Sequence, residues 1–531
     1  MKRLICFLMA MLLLLCAAGC TPQETPQEPT QPPVAPIINN LFEETGMLAK
    51  GQSVTLKADQ LSGTIQWTSS NPSLATVDAS GTVTAQSSRG AVTITAAAGE
   101  KTQTWNIPLC EETPFGSVSL SSSDGKLTVG VWNGAFQWFD ETYMKLMADA
   151  GINLIIGLKD MWIWEGDGAP TLDIAEKYGV SIIADLRNWD GETVPEYVDY
   201  PALKGFLLFD EPSSPMFPEL AAKKEQFQAV MPEDLLFFVN LFPESCGYES
   251  LFGDDYHSGR VDYERFYQDL FLDTVKPAVL SYDGYALQEG GTIRSSYFHN
   301  FDIAAHRTKQ DGIPFWYTLC SSGHWTTDGR YLTPTDKELR WQMALGMTYG
   351  AKALNHYVLA SPTEGDDNML SYAVWEPTAV YDAVKKVNQE YLAWDDIYMS
   401  YNWVGTAKVD ATGKLPNIML TTLEYDIPLT EAGTLTGAES TEHLLIGVFE
   451  KDGENGYMIT NAGSVTDSDK WKQYTFEMKD AKVKLTLEEG EYQCAAVISQ
   501  GKITYVPVSE DNTVSLSVGA YDGVFVIPIK K

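Results

Sequence analysis

Basic residues are in short supply in this 531-residue chain: 37 Lys and Arg stand against 71 Asp and Glu, a formal net charge of −34. A nucleic-acid partner needs a basic footprint that displaces counterions from phosphate, so that class is excluded. Cysteine is scarce as well. Cys6, Cys16 and Cys20 fall within the first twenty residues, and Cys110, Cys246, Cys320 and Cys494 lie far apart, with no C-x-x-C pair and no histidine at ligand spacing. That pattern supports neither a Cys–His metal centre nor a disulfide framework. No G-x-G-x-x-G or Walker loop follows an apolar run, so the usual phosphate cradles are missing and no cofactor or metal is expected. Long hydrophobic runs are missing too, since Ile5–Leu15 is too short to span a bilayer and no later run is longer.

What is present is ordinary globular composition, 44% hydrophobic and 20% charged, enough for roughly three or four domains of ~150 residues. Aromatics reach 11%, with 14 Trp and 26 Tyr. Indole and phenol rings stack on the apolar faces of sugars, though large cores use them too. The N-terminus pairs basic Lys2 and Arg3 with the apolar Ile5–Leu15 and closes on Ala17-Ala18-Gly19-Cys20. Small residues leading into cysteine resemble the lipobox of bacterial lipoproteins. The resemblance implies a signal peptide over residues 1–20, lipidation of Cys20, and a bacterial cell-envelope location, lipid-anchored and facing the surface or periplasm. Residues 21–39 are Pro/Gln/Glu-rich and unable to bury a core, as a stalk would be.

Residues 40–112 read as all-β: Ser53–Lys57, Thr64–Thr68, Ala75–Val77, Thr82–Ala85 and Val92–Ala96 alternate apolar and polar between Gly, Asn-Pro and Asp-Ala-Ser-Gly turns. Trp67-Thr-Ser-Ser-Asn-Pro-Ser-Leu-Ala-Thr-Val-Asp78, then Gly81–Ala85 and Ala91–Ala96, closely resemble the bacterial Ig-like family of group 2. The resemblance implies a spacer or adhesive sandwich with Trp67 in its core.

Across residues 120–398 the pattern becomes strand, then amphipathic helix, repeated. The apolar runs are Leu127–Trp132, Asn153–Leu158, Ser181–Leu186, Gly205–Phe209, Leu235–Leu241, Ala278–Tyr282, Ile313–Leu319 and Ala353–Leu359. Helical segments lie between them, among them Glu141–Ala150, Pro218–Val230, Asp262–Val275 and Thr378–Trp394. Eight such units over ~270 residues have the count and size of a (β/α)8 TIM barrel, preferred to an open doubly wound sheet because no nucleotide loop is present. Residues 400–531 return to short strands and read as a C-terminal β-sandwich. The expected fold class is therefore a multidomain chain: Ig-like sandwich, TIM barrel, C-terminal sandwich.

A TIM barrel does its chemistry at the C-terminal ends of its strands. Those ends carry Trp132 and Asn133; Lys159 and Asp160; Asp185 and Arg187; Asp210 and Glu211; Asn240 and Glu244; Asp283 and Tyr285; Ser321, Ser322 and His324; and Asn355 and His356. The sharpest signal is Gly205-Phe-Leu-Leu-Phe-Asp-Glu-Pro-Ser213, an apolar run that delivers two adjacent carboxyls to the mouth. A carboxyl in an apolar-walled mouth has its pKa raised toward general-acid work. Glu-Pro at the end of strand four resembles the acid/base position of the large retaining glycosidase clan. The resemblance implies glycoside hydrolysis with retention and Glu211 as acid/base. That clan places its nucleophilic Glu on strand seven, whereas Ile313–Trp325 here holds no carboxylate.

Two sources for the missing group stay open. Adjacent Asp-Glu is similar to the pair of N-acetylhexosaminidases, in which the substrate's acetamido oxygen attacks, Asp210 would orient it and Glu211 would be the acid. Alternatively, Asp283 supplies a second carboxylate. Candidate substrate contacts are Trp132, Asn240, Tyr285, Trp316 and His356, with Trp162, Trp164 and Trp325 as further strand-end indoles. The expected function is a monomeric, lipid-anchored glycoside hydrolase with a carbohydrate substrate. The alternative is a non-catalytic carbohydrate-binding or adhesive lipoprotein on a degenerate barrel.

Overall fold

The structure, a computed structural model, describes residues 47–87, 90–99, 101–110, 126–134, 140–158, 169–253, 262–327, 329–363, 365–467, 473–490 and 492–530. Cys20, Lys159, Asp160, Trp162 and Trp164 lie outside them. Eight apolar runs become the barrel strands β1 (Thr128–Trp132), β2 (Leu154–Leu158), β3 (Ser181–Asp185), β4 (Leu203–Asp210), β5 (Leu236–Leu241), β6 (Leu280–Gly284), β7 (Phe315–Cys320) and β8 (Ala353–Tyr357). They pair in parallel, each with the next, and β8 closes on β1. A parallel sheet covered by helices buries both faces, which is why β2 reads Leu-Ile-Ile-Gly-Leu with every residue buried.

The helices α1 (Glu141–Asp149), α2 (Ala169–Tyr178), α3 (Phe217–Val230), α4 (Asp269–Val275), α5 (Tyr297–Asp311), α6 (Asp336–Thr348) and α7 (Ala379–Leu392) surround the barrel. Their starts are chemically marked. Asp140 caps α1 by accepting from the backbone of Thr142 and Tyr143, and Thr335 with Glu338 forms a capping box on α6. The helical segment expected at Asp262–Val275 forms, with Glu264–Gln268 wound as a π-helix that runs directly into α4.

The Ig-like segment folds as two sheets around its own small core of Leu56, Ala75, Val83, Val92, Ile94 and Ile107, with Trp67 stacked on Trp105 at 5.4 Å. Met47 and Ala49 belong instead to the large core of the barrel. The C-terminal segment forms a six-stranded and a three-stranded antiparallel sheet with a core between them. The outer face of the larger sheet, including Phe449, Phe525 and Ile527, is buried in the same core as the barrel helices. Across this junction Trp341 of α6 donates to the Asn461 carbonyl at 2.8 Å, and Thr348 bonds Thr460 at 2.7 Å. A second junction reaches the mouth side. The loop after β6 makes a hairpin, Leu287–Gln288 with Thr292–Arg294, which pairs with Gln473–Glu477 of the C-terminal segment. Among the described residues no helix is long and apolar enough to cross a membrane.

Candidate active site

From Gly205 to Phe209 β4 is apolar. Phe206, Leu207 and Leu208 are buried, Asp210 closes the strand, and the Glu211 N–H donates to the Asn240 carbonyl of β5 at 2.8 Å. Glu211 adopts φ +56°, a left-handed conformation that costs an L-residue about 1–2 kcal/mol and that folds retain mainly at functional sites. From this turn its carboxyl hydrogen-bonds Asp283 of β6.

Asp283 is held from three sides. Asn240 Nδ2 donates to its Oδ1 at 2.6 Å, the Tyr285 hydroxyl donates to its Oδ2 at 3.3 Å, and Glu211 supplies the third contact. Ser281 Oγ in turn donates to Asn240 Oδ1 at 2.8 Å. Burial, then the charges of Asp283 and Asp210, drive the Glu211 carboxyl far above the usual carboxylate range. Burial and the Asp210 charge also raise Asp283, but the hydrogen bonds from Asn240, Glu211 and Tyr285 favour its anion. Of the two, Glu211 therefore holds its proton the more strongly and donates a hydrogen bond to Asp283 once Asp283 is ionised. The third carboxyl, Asp210, lies within electrostatic reach of both and of Arg187, whose guanidinium forks onto Asp185 at 3.0 and 2.6 Å.

An aromatic wall stands beside the carboxyls. Tyr285 lies 5.3 Å from Tyr357, 5.5 Å from Tyr331 and 5.7 Å from His324, centroid to centroid. Burial and then the charges of Asp283, Asp210 and Glu211 push the Tyr357 hydroxyl above its ordinary range.

The three acids singled out in the sequence, Glu211, Asp210 and Asp283, come together with Tyr285. The other four expected contacts are engaged within the protein. His356 points outward: strand residues alternate sides, Asn355 and Tyr357 take the inner face of β8, and His356 Nε2 bonds Asn388 of α7 at 2.9 Å. Burial pushes its pKa down to about 4, so it is a neutral structural imidazole. Trp316 lies one residue into β7, at the end opposite the mouth, with its ring 5.6 Å from Phe238. Trp132, only 7% exposed, packs on Phe238 and donates to Thr318 Oγ1 at 3.3 Å, so it forms floor rather than open wall. Asn240 is fully buried, and its amide is spent on Asp283 and Ser281; it positions the acids.

The sequence reading passed over Tyr357 and Tyr331. Alternation along β8 contained the signal for Tyr357. An inward Asn355, whose amide occupies the space a Cβ on Gly130 would take, forces Tyr357 inward two residues later. Tyr331 sits in a long loop and carried no such signal. Among the described residues no cluster of His, Cys, Asp or Glu is arranged to hold a metal ion.

Residues 43–107 match the bacterial Ig-like domain (group 2) family. No curated protein matches the chain. Among solved structures, one named as a glycoside hydrolase is similar at 9% identity and TM-score 0.43, covering 78% of this chain and 96% of its own. Alpha-L-fucosidase isoenzyme 2 from Paenibacillus thiaminolyticus is similar at 9% identity and TM-score 0.40, covering 77% and 100%. An endo-alpha-mannosidase from Bacteroides thetaiotaomicron is similar at 13% identity and TM-score 0.33, covering 49% and 83%. These likenesses are low, and the reading of the site rests on its own geometry.

Proposed function

We propose that this chain is a glycoside hydrolase acting on an extracellular oligosaccharide or glycan, with Glu211 as general acid. The observation that carries this reading is the hydrogen-bonded Glu211–Asp283 pair at the C-terminal mouth of the barrel. Cleaving a glycosidic bond requires a proton on the leaving oxygen, and a buried carboxyl beside an anion keeps that proton at neutral pH. Once Glu211 gives it up, Asp283 and Asp210 face the positive charge that develops on the sugar ring and stabilise it.

A carboxylate nucleophile stands ~5–5.5 Å from the acid, and an inverting base ~6.5–9.5 Å from it. Asp283, in hydrogen-bond contact with Glu211, matches neither spacing, and the end of β7 offers no carboxylate. Substrate assistance, a recognised exception, needs no second carboxylate at that spacing and still retains configuration. In this reading Asp210 or Asp283 orients the substrate's acetamido group. Tyr285, with its hydroxyl on Asp283 and its ring in the wall, contacts the sugar.

A panel of aryl glycosides including N-acetylated sugars tests the proposal. Glu211→Gln should lose about 10²–10⁴-fold on substrates with poor leaving groups. Full activity in that variant on a natural glycan sinks the assignment. The carboxylate-free end of β7 keeps one second reading, a carbohydrate-binding lipoprotein; unaltered protein that binds glycans but turns over none would support it. The proposal places the enzyme in the bacterial cell envelope through lipidation of Cys20. Two acyl signals make an anchor stable and one is marginal, so Cys20→Ser should release the protein from membranes. Unchanged membrane fractionation would remove that part.

A further inference from the structure

His324 lies in a loop that is stapled to two others. In the β7 loop, Trp325 pairs with Arg330, and the Tyr331 N–H donates to the His324 carbonyl at 2.8 Å. Arg330 ties that loop to the β6 hairpin through Glu289 at 2.6 Å and to the β8 loop through Asp367 at 2.7 Å. Gly323 and Asp367 exchange backbone hydrogen bonds at 3.0 and 2.8 Å. The imidazole stands 4.9 Å from Tyr331, 5.5 Å from Tyr357 and 5.7 Å from Tyr285, whose hydroxyl reaches Asp283.

The tautomer follows from one contact. His324 Nδ1 lies 3.1 Å from the Ser322 carbonyl, and a carbonyl only accepts, so Nδ1 carries the hydrogen. Burial favours the neutral ring. Nε2 then presents a lone pair, and among the described residues no group donates to it. The surrounding charge is also one-sided. Asp283 bonds Tyr285 and Asp210 lies within electrostatic reach of Tyr357, while the nearby guanidiniums of Arg187 and Arg330 are already engaged by Asp185 and by Glu289 with Asp367.

We infer that the corner of His324, Tyr285, Tyr331 and Tyr357 is a subsite for an uncharged sugar ring, with His324 Nε2 accepting a hydrogen bond from a ring hydroxyl. The partly exposed rings of Tyr285 and Tyr357 supply the faces on which the sugar's C–H bonds lie, the buried Tyr331 backs them, and Nε2 supplies the acceptor. Sugars bearing carboxylate or sulfate are disfavoured by this crowd of acidic groups, whose nearby guanidiniums are already engaged. The subsite deepens the glycoside hydrolase reading and rests on it for its biological substrate, but its binding can be measured without turnover.

The experiment is ligand-observed NMR titration of full-length Glu211→Gln protein with fucose, galactose, glucose, mannose, N-acetylglucosamine and glucuronic acid. At least one neutral sugar should bind and glucuronic acid should not. Added His324→Phe, which keeps an aromatic ring but removes the acceptor, should weaken that sugar by about tenfold, the worth of one hydrogen bond. Added His324→Gln, which restores an acceptor, should return affinity to within about threefold. Equal binding in the Phe variant, binding of glucuronic acid, or binding of no sugar overturns the subsite. Binding without turnover of the matching aryl glycoside by the unaltered chain supports the subsite and removes the hydrolase reading. Turnover that His324→Phe leaves unchanged does the reverse.

Discussion

A single residue pair governs the chemistry proposed here, and its protonation makes the first prediction. Catalysis needs Glu211 protonated and Asp283 ionised. Both carboxyls are raised by burial and by neighbouring charge. Activity should thus fall on the acid side as Asp283 takes up a proton, at a pH above the ordinary carboxylate range. It should fall on the alkaline side as Glu211 loses its own. Asp283→Asn removes one of the charges that hold Glu211 up, so the alkaline limb of kcat/KM should move to lower pH. A limb that stays in place would show that Asp283 does not set the acid. The two acids at the end of β4 were legible in the sequence because an apolar run ending in Asp-Glu-Pro announces a strand end. Their contact with Asp283 was not legible: it depends on φ +56° at Glu211 and on the backbone and amide of Asn240, one strand away. His356 shows the opposite failure. Two adjacent polar residues on a strand cannot both face the barrel interior, and the pleat sends Asn355 in and His356 out.

At the scale of elements, the β6 hairpin is the joint between the C-terminal segment and the mouth. Thr292, Ile293 and Arg294 pair with Thr475, Tyr474 and Gln473, and Arg294 lies over the Tyr331 ring at 5.4 Å. The same hairpin starts two residues after Tyr285, and its Glu289 N–H donates to the Arg330 carbonyl at 2.9 Å. Thr475 sits on an inner strand of this four-stranded sheet. Thr475→Pro removes a ladder hydrogen bond there, and the disturbance passes to Tyr285 and Tyr331. The expected outcome is a kcat/KM loss between about tenfold and a hundredfold, the scale of a small misplacement in a site. A folded Thr475→Pro protein with unaltered kinetics would show that the sheet does not support the mouth. The sequence reading treated the C-terminal strands as a trailing sandwich, because strand propensity in residues 464–477 says nothing about which partner the strand will find.

For the molecule as a whole, the separate core of the Ig-like segment makes the last prediction. Its apolar residues pack on one another, apart from Met47 and Ala49. Deleting residues through Cys110 should leave kcat/KM on a small soluble aryl glycoside within about threefold, since domains with their own cores fold independently. A large loss in a folded truncation would show that this segment helps build the site. The net charge of −34 sets the electrostatic background against which anionic partners are disfavoured. By itself the sequence determined the class of the three folded segments. Hydrophobic periodicity, turn residues and caps are local, and eight repeats of strand and helix leave few ways to cover both faces of a parallel sheet. The tertiary structure alone decided which acids meet, which aromatics face the mouth, and that a C-terminal strand completes the sheet beside it. Those outcomes depend on barrel closure, on strand register and on one left-handed residue. Each joins positions far apart in the chain, from Glu211 to Asp283 and from Thr292 to Thr475, and local pattern holds no record of such distances.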